Sequence, residues 1–63
     1  MNSAEVIRRL KRDGWILRHS RGSHHHYVHP TTSGKVTVPH PVKRIPIGTL
    51  RSIFRQAGWE WRP

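Results

Sequence analysis

The nine residues Gly22-Ser23-His24-His25-His26-Tyr27-Val28-His29-Pro30 constrain this chain more than any other stretch. Bounded by glycine and proline, the segment alternates as a strand over residues 23–29. A strand's two-residue period sends His24, His26 and Val28 to one face and Ser23, His25, Tyr27 and His29 to the other. Four of the chain's six histidines fall here, so one face must expose imidazole. An isolated imidazole titrates near about pH 6.5 and can take or give a proton at neutrality, as a general acid–base catalyst must. Gly22 can turn the chain tightly and admit a bulky partner to the backbone, and Ser23 adds a hydroxyl at that point.

The flanks read as support for this strand. Ser3 is placed to cap a first helix over residues 3–13, with Glu5 in the first turn where a negative charge meets the positive end of the dipole. Val6, Ile7 and Leu10 recur at helical spacing, Arg8, Arg9, Lys11 and Arg12 occupy the opposite side, and Gly14 ends the helix. Trp15 to His19 alternates as a strand, Trp15 and Leu17 toward the helices and Ile16 and Arg18 outward. Ser20-Arg21-Gly22 is too short a connection for anything but an antiparallel hairpin. After a second turn at Pro30 to Gly34, Lys35-Val36-Thr37-Val38 forms a third strand. Tyr27 is expected in the core with Trp15, Leu17, Val36 and Val38, which leaves His24 on the open face; the opposite phase, with Val28 inward, is the alternative.

Pro39-His40-Pro41 cannot continue a central strand, so the sheet ends there and a basic loop through Lys43 and Arg44 follows. Pro46 suits the first turn of a second helix, whose Ile47, Leu50, Ile53, Phe54 and Ala57 form a buried stripe ending at Gly58. Trp59 is expected to fold back on Phe54, and Glu60 to Pro63 to fray. Arg51 and Arg55 share the exposed side, where a phosphate between them would relieve their repulsion.

Sixty-three residues make a single domain, 1–63, with a marginal core that buries only about 60% of the surface its unfolded chain exposes. No cysteine is present, which excludes disulfides and thiolate zinc sites. No apolar run is long enough for a membrane span and the first twenty residues lack the centre of a signal peptide, so no membrane role and a cytoplasmic location are expected. Twelve Lys and Arg against three acidic residues leave a net charge of +9, which marks a polyanionic partner, RNA or DNA before a membrane. The candidate contacts are Arg21, Lys35, His40, Lys43, Arg44, Arg51 and Arg55.

The expected class is α+β in the order α-β-β-β-α: a three-stranded antiparallel sheet with two helices on one face, similar in outline to a double-stranded-RNA-binding domain. The run Asp13-Gly14-Trp15, then Gly22-Ser23-His24-His25, then Val36-Thr37-Val38-Pro39-His40-Pro41, and Gly48-Thr49-Leu50-Arg51-Ser52-Ile53 through Gln56-Ala57-Gly58 resembles the HicA family of bacterial toxins over nearly the whole chain. That resemblance implies a small mRNA interferase that cleaves RNA without the ribosome and is held inactive by a HicB antitoxin. It carries the catalytic histidine onto His24, with Gly22, Ser23 and His25 supporting the site. It does not reach residues 59–63, a short C-terminal extension.

The residues suit that chemistry independently. RNA carries its own nucleophile, the 2′-hydroxyl, so a cleaving protein must remove one proton, stabilise a crowded phosphate and protonate the leaving oxygen. The three acidic residues, Glu5, Asp13 and Glu60, lie in or beside the helices and the tail and offer neither a carboxylate pair nor a triad. Whether His24 is base or acid stays open. No cofactor or metal is expected. Two rival readings remain: an RNA-binding module without catalysis, and an imidazole metal site in which His40 joins His24 and His26.

Overall fold

The computed structural model describes residues 1–62. Its elements are α1 (Ser3–Arg12), β1 (Ile16–Arg21), β2 (His24–Val28), β3 (Lys35–Pro39) and α2 (Ile47–Ala57). The three strands form an antiparallel meander in the order β1-β2-β3.

The cap of α1 lies one residue earlier than predicted. The cap is Asn2, whose side chain accepts from the Glu5 N–H at 2.8 Å while the Glu5 carboxylate accepts from the Asn2 N–H at 3.0 Å, a complete capping box. Ser3 is buried instead, and its hydroxyl receives the Val42 N–H at 2.8 Å, tying the start of α1 to the loop after β3. Val6 and Leu10 are fully buried against the sheet, and burial of each such side chain contributes roughly 1.5–3 kcal/mol. Arg9 does not share the solvated side with Arg8 and Lys11. It is half-buried, with its guanidinium 4.1 Å from the Trp59 ring centre.

The core contains Val6, Leu10, Trp15, Tyr27, Val36, Val38, Ile45 and Ile53. Tyr27 therefore points inward, and the alternative strand phase is wrong. Leu17 is a correction: it pairs with Tyr27 on the helix side, yet stays 45% exposed because both helices make their main contacts with β3, at the other edge of the sheet from β1. Ile47 is a second correction, 70% exposed at the start of α2, while Ile45, just ahead of the helix, is the residue that enters the core. Pro46 is the N-cap of α2, just outside the first turn.

α2 ends as expected, with Gly58 left-handed at φ 74° and the Trp59 N–H donating to the Phe54 carbonyl at 2.8 Å. Trp59 and Phe54 meet edge to face at 5.1 Å. The tail is more ordered than frayed: Trp61 is half-buried and packs edge-on against Phe54 at 5.1 Å. Of the segment expected to fray, Pro63 lies outside the described residues.

Candidate active site

The residue pairing of the meander writes the open face as three rows across the sheet. The first is Arg21–His24–Pro39, the second His19–His26–Thr37 and the third Ile16–Val28–Lys35. The helix side carries Ser20–His25–Val38 and Leu17–Tyr27–Val36. His24 is exposed, as the strand phase requires, with Arg21 as its neighbour on β1. Gly22 makes the turn between them at φ 58°, a conformation that L side chains rarely adopt. Space is not the constraint, because nothing lies within 4 Å of a Cβ built there. Ser23 is held at the same turn by its carbonyl, which accepts from the His40 N–H at 2.7 Å.

A β-bulge supplies what the alternation of β1 does not show. Leu17 pairs with Tyr27 but His19 pairs with His26, so Arg18 is the extra residue and every later side chain of β1 changes face. His19 thus arrives on the open face and stacks on His26 at 4.6 Å. His26 Nδ1 meets the Thr37 hydroxyl at 2.9 Å, which orients the ring. Partial burial pushes the pKa of His26 below the usual imidazole value, and the neighbouring His19, Lys35, His24 and His25 lower it further. The face therefore holds, two residues from His24, an imidazole whose surroundings favour the neutral form, which can accept a proton.

Other predicted residues fall elsewhere. His25 points to the helix side, where its ring meets His40 edge-on at 5.1 Å. His40 is anchored there by Ser3, whose hydroxyl lies 2.7 Å from Nδ1. Together with Asn2, Ala4, Pro41, Val42 and Lys43, these two residues line an open cleft of about 380 Å³. His40 thus lies across the sheet from His24 and His26 and cannot join them as a metal ligand. Among the described residues, no group of three His, Asp or Glu is placed to hold a metal ion.

Lys35 shares the open face at its far end, and Lys43 and Arg44 are exposed in the loop before α2. Arg51 and Arg55 do not converge on a shared gap: Arg51 lies 5.7 Å from the Trp61 ring and Arg55 donates to the Ser52 hydroxyl at 3.3 Å. Neither Arg18, on the bulge, nor His19 is among the site residues that the sequence predicts. Nothing in the alternation of β1 marks a bulge, so no local signal pointed to His19.

All three carboxylates are engaged away from His24. Glu5 completes the cap of α1, Asp13 accepts from the Trp59 indole N–H at 2.9 Å and pairs with Arg12 at 3.4 Å, and Glu60 pairs with Arg62 at 3.0 Å. The open face is cationic and imidazole-rich, with no acidic group among the described residues to activate water or orient a histidine. That arrangement suits an anionic substrate that brings its own nucleophile.

No helix among the described residues is long and apolar enough to cross a membrane. No curated protein matches the chain. A solved structure described as the HicA3 and HicB3 toxin-antitoxin complex contains a chain that is 36% identical, with a TM-score of 0.82, covering 98% of this chain and 100% of its own length. The family described as the HicA toxin of bacterial toxin-antitoxin matches residues 3–59. By sequence and by fold, this chain belongs to the HicA family of toxins.

Proposed function

We propose that the chain is a metal-independent endoribonuclease, an mRNA interferase acting without the ribosome in the cytoplasm, with His24 as its catalytic residue and a HicB-type antitoxin as its inhibitor. The observation that carries this reading is the row Arg21–His24 on the uncovered sheet face, with the half-buried His26 beside it and no Asp or Glu side chain near. The solved relative was captured with HicB3, which supports an antitoxin partner of that kind.

In the proposed reaction a base takes the proton of the 2′-hydroxyl, whose oxygen attacks the adjacent phosphorus. The P–O5′ bond breaks, and an acid delivers a proton to the departing 5′-oxygen. The fragments carry a 2′,3′-cyclic phosphate and a 5′-hydroxyl. His24 serves as one of the two proton-transfer groups. Arg21 faces the phosphate, where a fixed cation stabilises the charge that builds in the transition state. Gly22 and Ser23 hold the turn that sets Arg21 opposite His24, and His25 braces β2 from the other side through His40.

An RNA carrying one 2′-deoxy residue at the cut site tests this directly. It should bind almost as well as the parent and stay intact, because only the nucleophile is missing and the phosphate contacts remain. Mass spectrometry of the products of unmodified RNA should find the cyclic phosphate, with or without a chelator at constant ionic strength. Direct 5′-phosphate ends would assign the attack to water and refute the mechanism. Binding of RNA without any cleavage would leave a non-catalytic RNA-binding module.

A further inference from the structure

The two edges of the sheet are finished differently. On β3 the Thr37 N–H, which points away from β2, donates to the Gln56 side-chain oxygen at 3.0 Å, so α2 closes that edge from within the molecule. On β1 all six residues are exposed, and among the described residues no side chain hydrogen-bonds to its backbone. An open edge of this kind is a template for another strand.

The composition of β1 says what kind. Ile16 and Leu17, 56% and 45% exposed, stand side by side at one end, on opposite faces of the sheet, and Arg18, His19 and Arg21 occupy the other. The bulge at Arg18 and the charges are devices that keep an edge from pairing with its like. They do not account for two adjacent exposed aliphatic residues on the same edge. An antiparallel pairing of two copies centred on β1 would set Ile16 against Arg21 and Arg18 against His19, apolar against charged and cation against imidazole. RNA cannot complete the edge either, because a strand offers alternating donors and acceptors and a phosphate backbone mainly accepts.

We propose that the outer edge of β1 docks an extended acidic segment of the antitoxin as a fourth strand, with apolar side chains beside Ile16 and Leu17 and carboxylates beside Arg18 and Arg21. This rests on the reading that a HicB-type antitoxin is the partner. It places the antitoxin one strand from His19 and two from His24, so chain leaving the added strand can turn over the open face. Main-chain pairing supplies affinity, and the complementary charge supplies register and rate.

The test compares amide hydrogen exchange of the full-length toxin alone and saturated with its cognate antitoxin. The outward amides of β1 should exchange at least about tenfold more slowly in the complex. Leu17→Lys and Ile16→Lys, at positions already exposed to water, should each weaken antitoxin binding by about tenfold or more, the equivalent of about 1.4 kcal/mol. Their melting temperatures and RNA cleavage as free toxin should be unchanged. Unaltered β1 exchange in a complex that forms normally, or wild-type affinity in both variants, overturns the edge proposal and leaves the antitoxin reading standing. Failure of the wild-type toxin to bind the antitoxin overturns both. Protection of β1 that grows with toxin concentration alone would assign the edge to a second copy and overturn it as well.

Discussion

One strand serves two faces with opposite requirements. β2 gives Tyr27 to the side under the helices, where it is 2% exposed, and His24 and His26 to the side that nothing covers. On the covered side each residue is fixed by shape, since Val36 and Val38 leave no solvent gap around the ring. On the open side His24 is exposed and unrestrained by packing, so its identity is free to be chosen for chemistry. The contrast implies that stability and activity are separable along a strand of five residues.

The largest effect should come from the covered side. Tyr27→Ala empties the centre of the core at a cost of about 3–5 kcal/mol. A domain this small has roughly that much stability in total, so the variant should be unfolded at room temperature by circular dichroism and inactive for that reason. A cooperative melt near the wild-type temperature would mean that the core is not organised around this ring.

His24→Ala should give the reverse pattern. Cleavage should fall by roughly 10²–10⁴-fold, the usual contribution of a positioned acid or base, with the melt and RNA affinity unchanged. A gel-based cleavage assay beside a filter-binding measurement separates the two quantities. If the variant cuts at the native rate, another group performs the proton transfer; if it loses the fold, the two faces are not separable.

What was legible beforehand followed from periodicity. The phase of β2, the stripe of α2 and its closure by Gly58 and Trp59 all rest on regular spacing, and all three are present apart from Ile47. The departures come from relations that a linear pattern does not carry. Leu17 has the right direction and no cover, because the width of the sheet against the helices is a tertiary quantity. The bulge that turns His19 onto the open face is an irregularity of pairing between two strands. Arg9 is drawn in by Trp59, from the other end of the chain. The cap of α1 was readable: Asn2 and Glu5 stand at capping-box spacing, and Ser3, equally able to cap, is held by its own burial against His40 and Val42.

That cap allows a smaller test touching neither face. Asn2→Ala should cost about 1 kcal/mol, which for a domain of this size lowers the melting temperature by about 4–8 °C. Cleavage per folded molecule should be unaffected. Ser3→Ala should cost stability too and in addition release His40. A loss of cleavage specific to Ser3→Ala would extend the site to the helix side of the sheet.

The smallest effect belongs to His26, where the open face itself bears on stability. Its pKa is lowered by desolvation and then by His19, Lys35, His24 and His25, and the open face has no packed element that brings further charges to it. A folded-state value below the unfolded one, about 6.5, means that the unfolded chain binds the proton first as the pH falls. The contribution of neutral His26 is therefore fully present above about pH 6.5 and is lost as the pH drops from there through its folded value. His26→Gln should flatten that part of the stability curve in denaturant titrations between about pH 5 and 7.5. By NMR, the His26 ring should titrate below a solvent-exposed histidine, and His19→Ala should move its midpoint upward by removing the stacked neighbour. A midpoint at or above the ordinary value would show that the surroundings of the ring do not favour its neutral form, and the pH-dependent contribution to stability would then vanish or reverse.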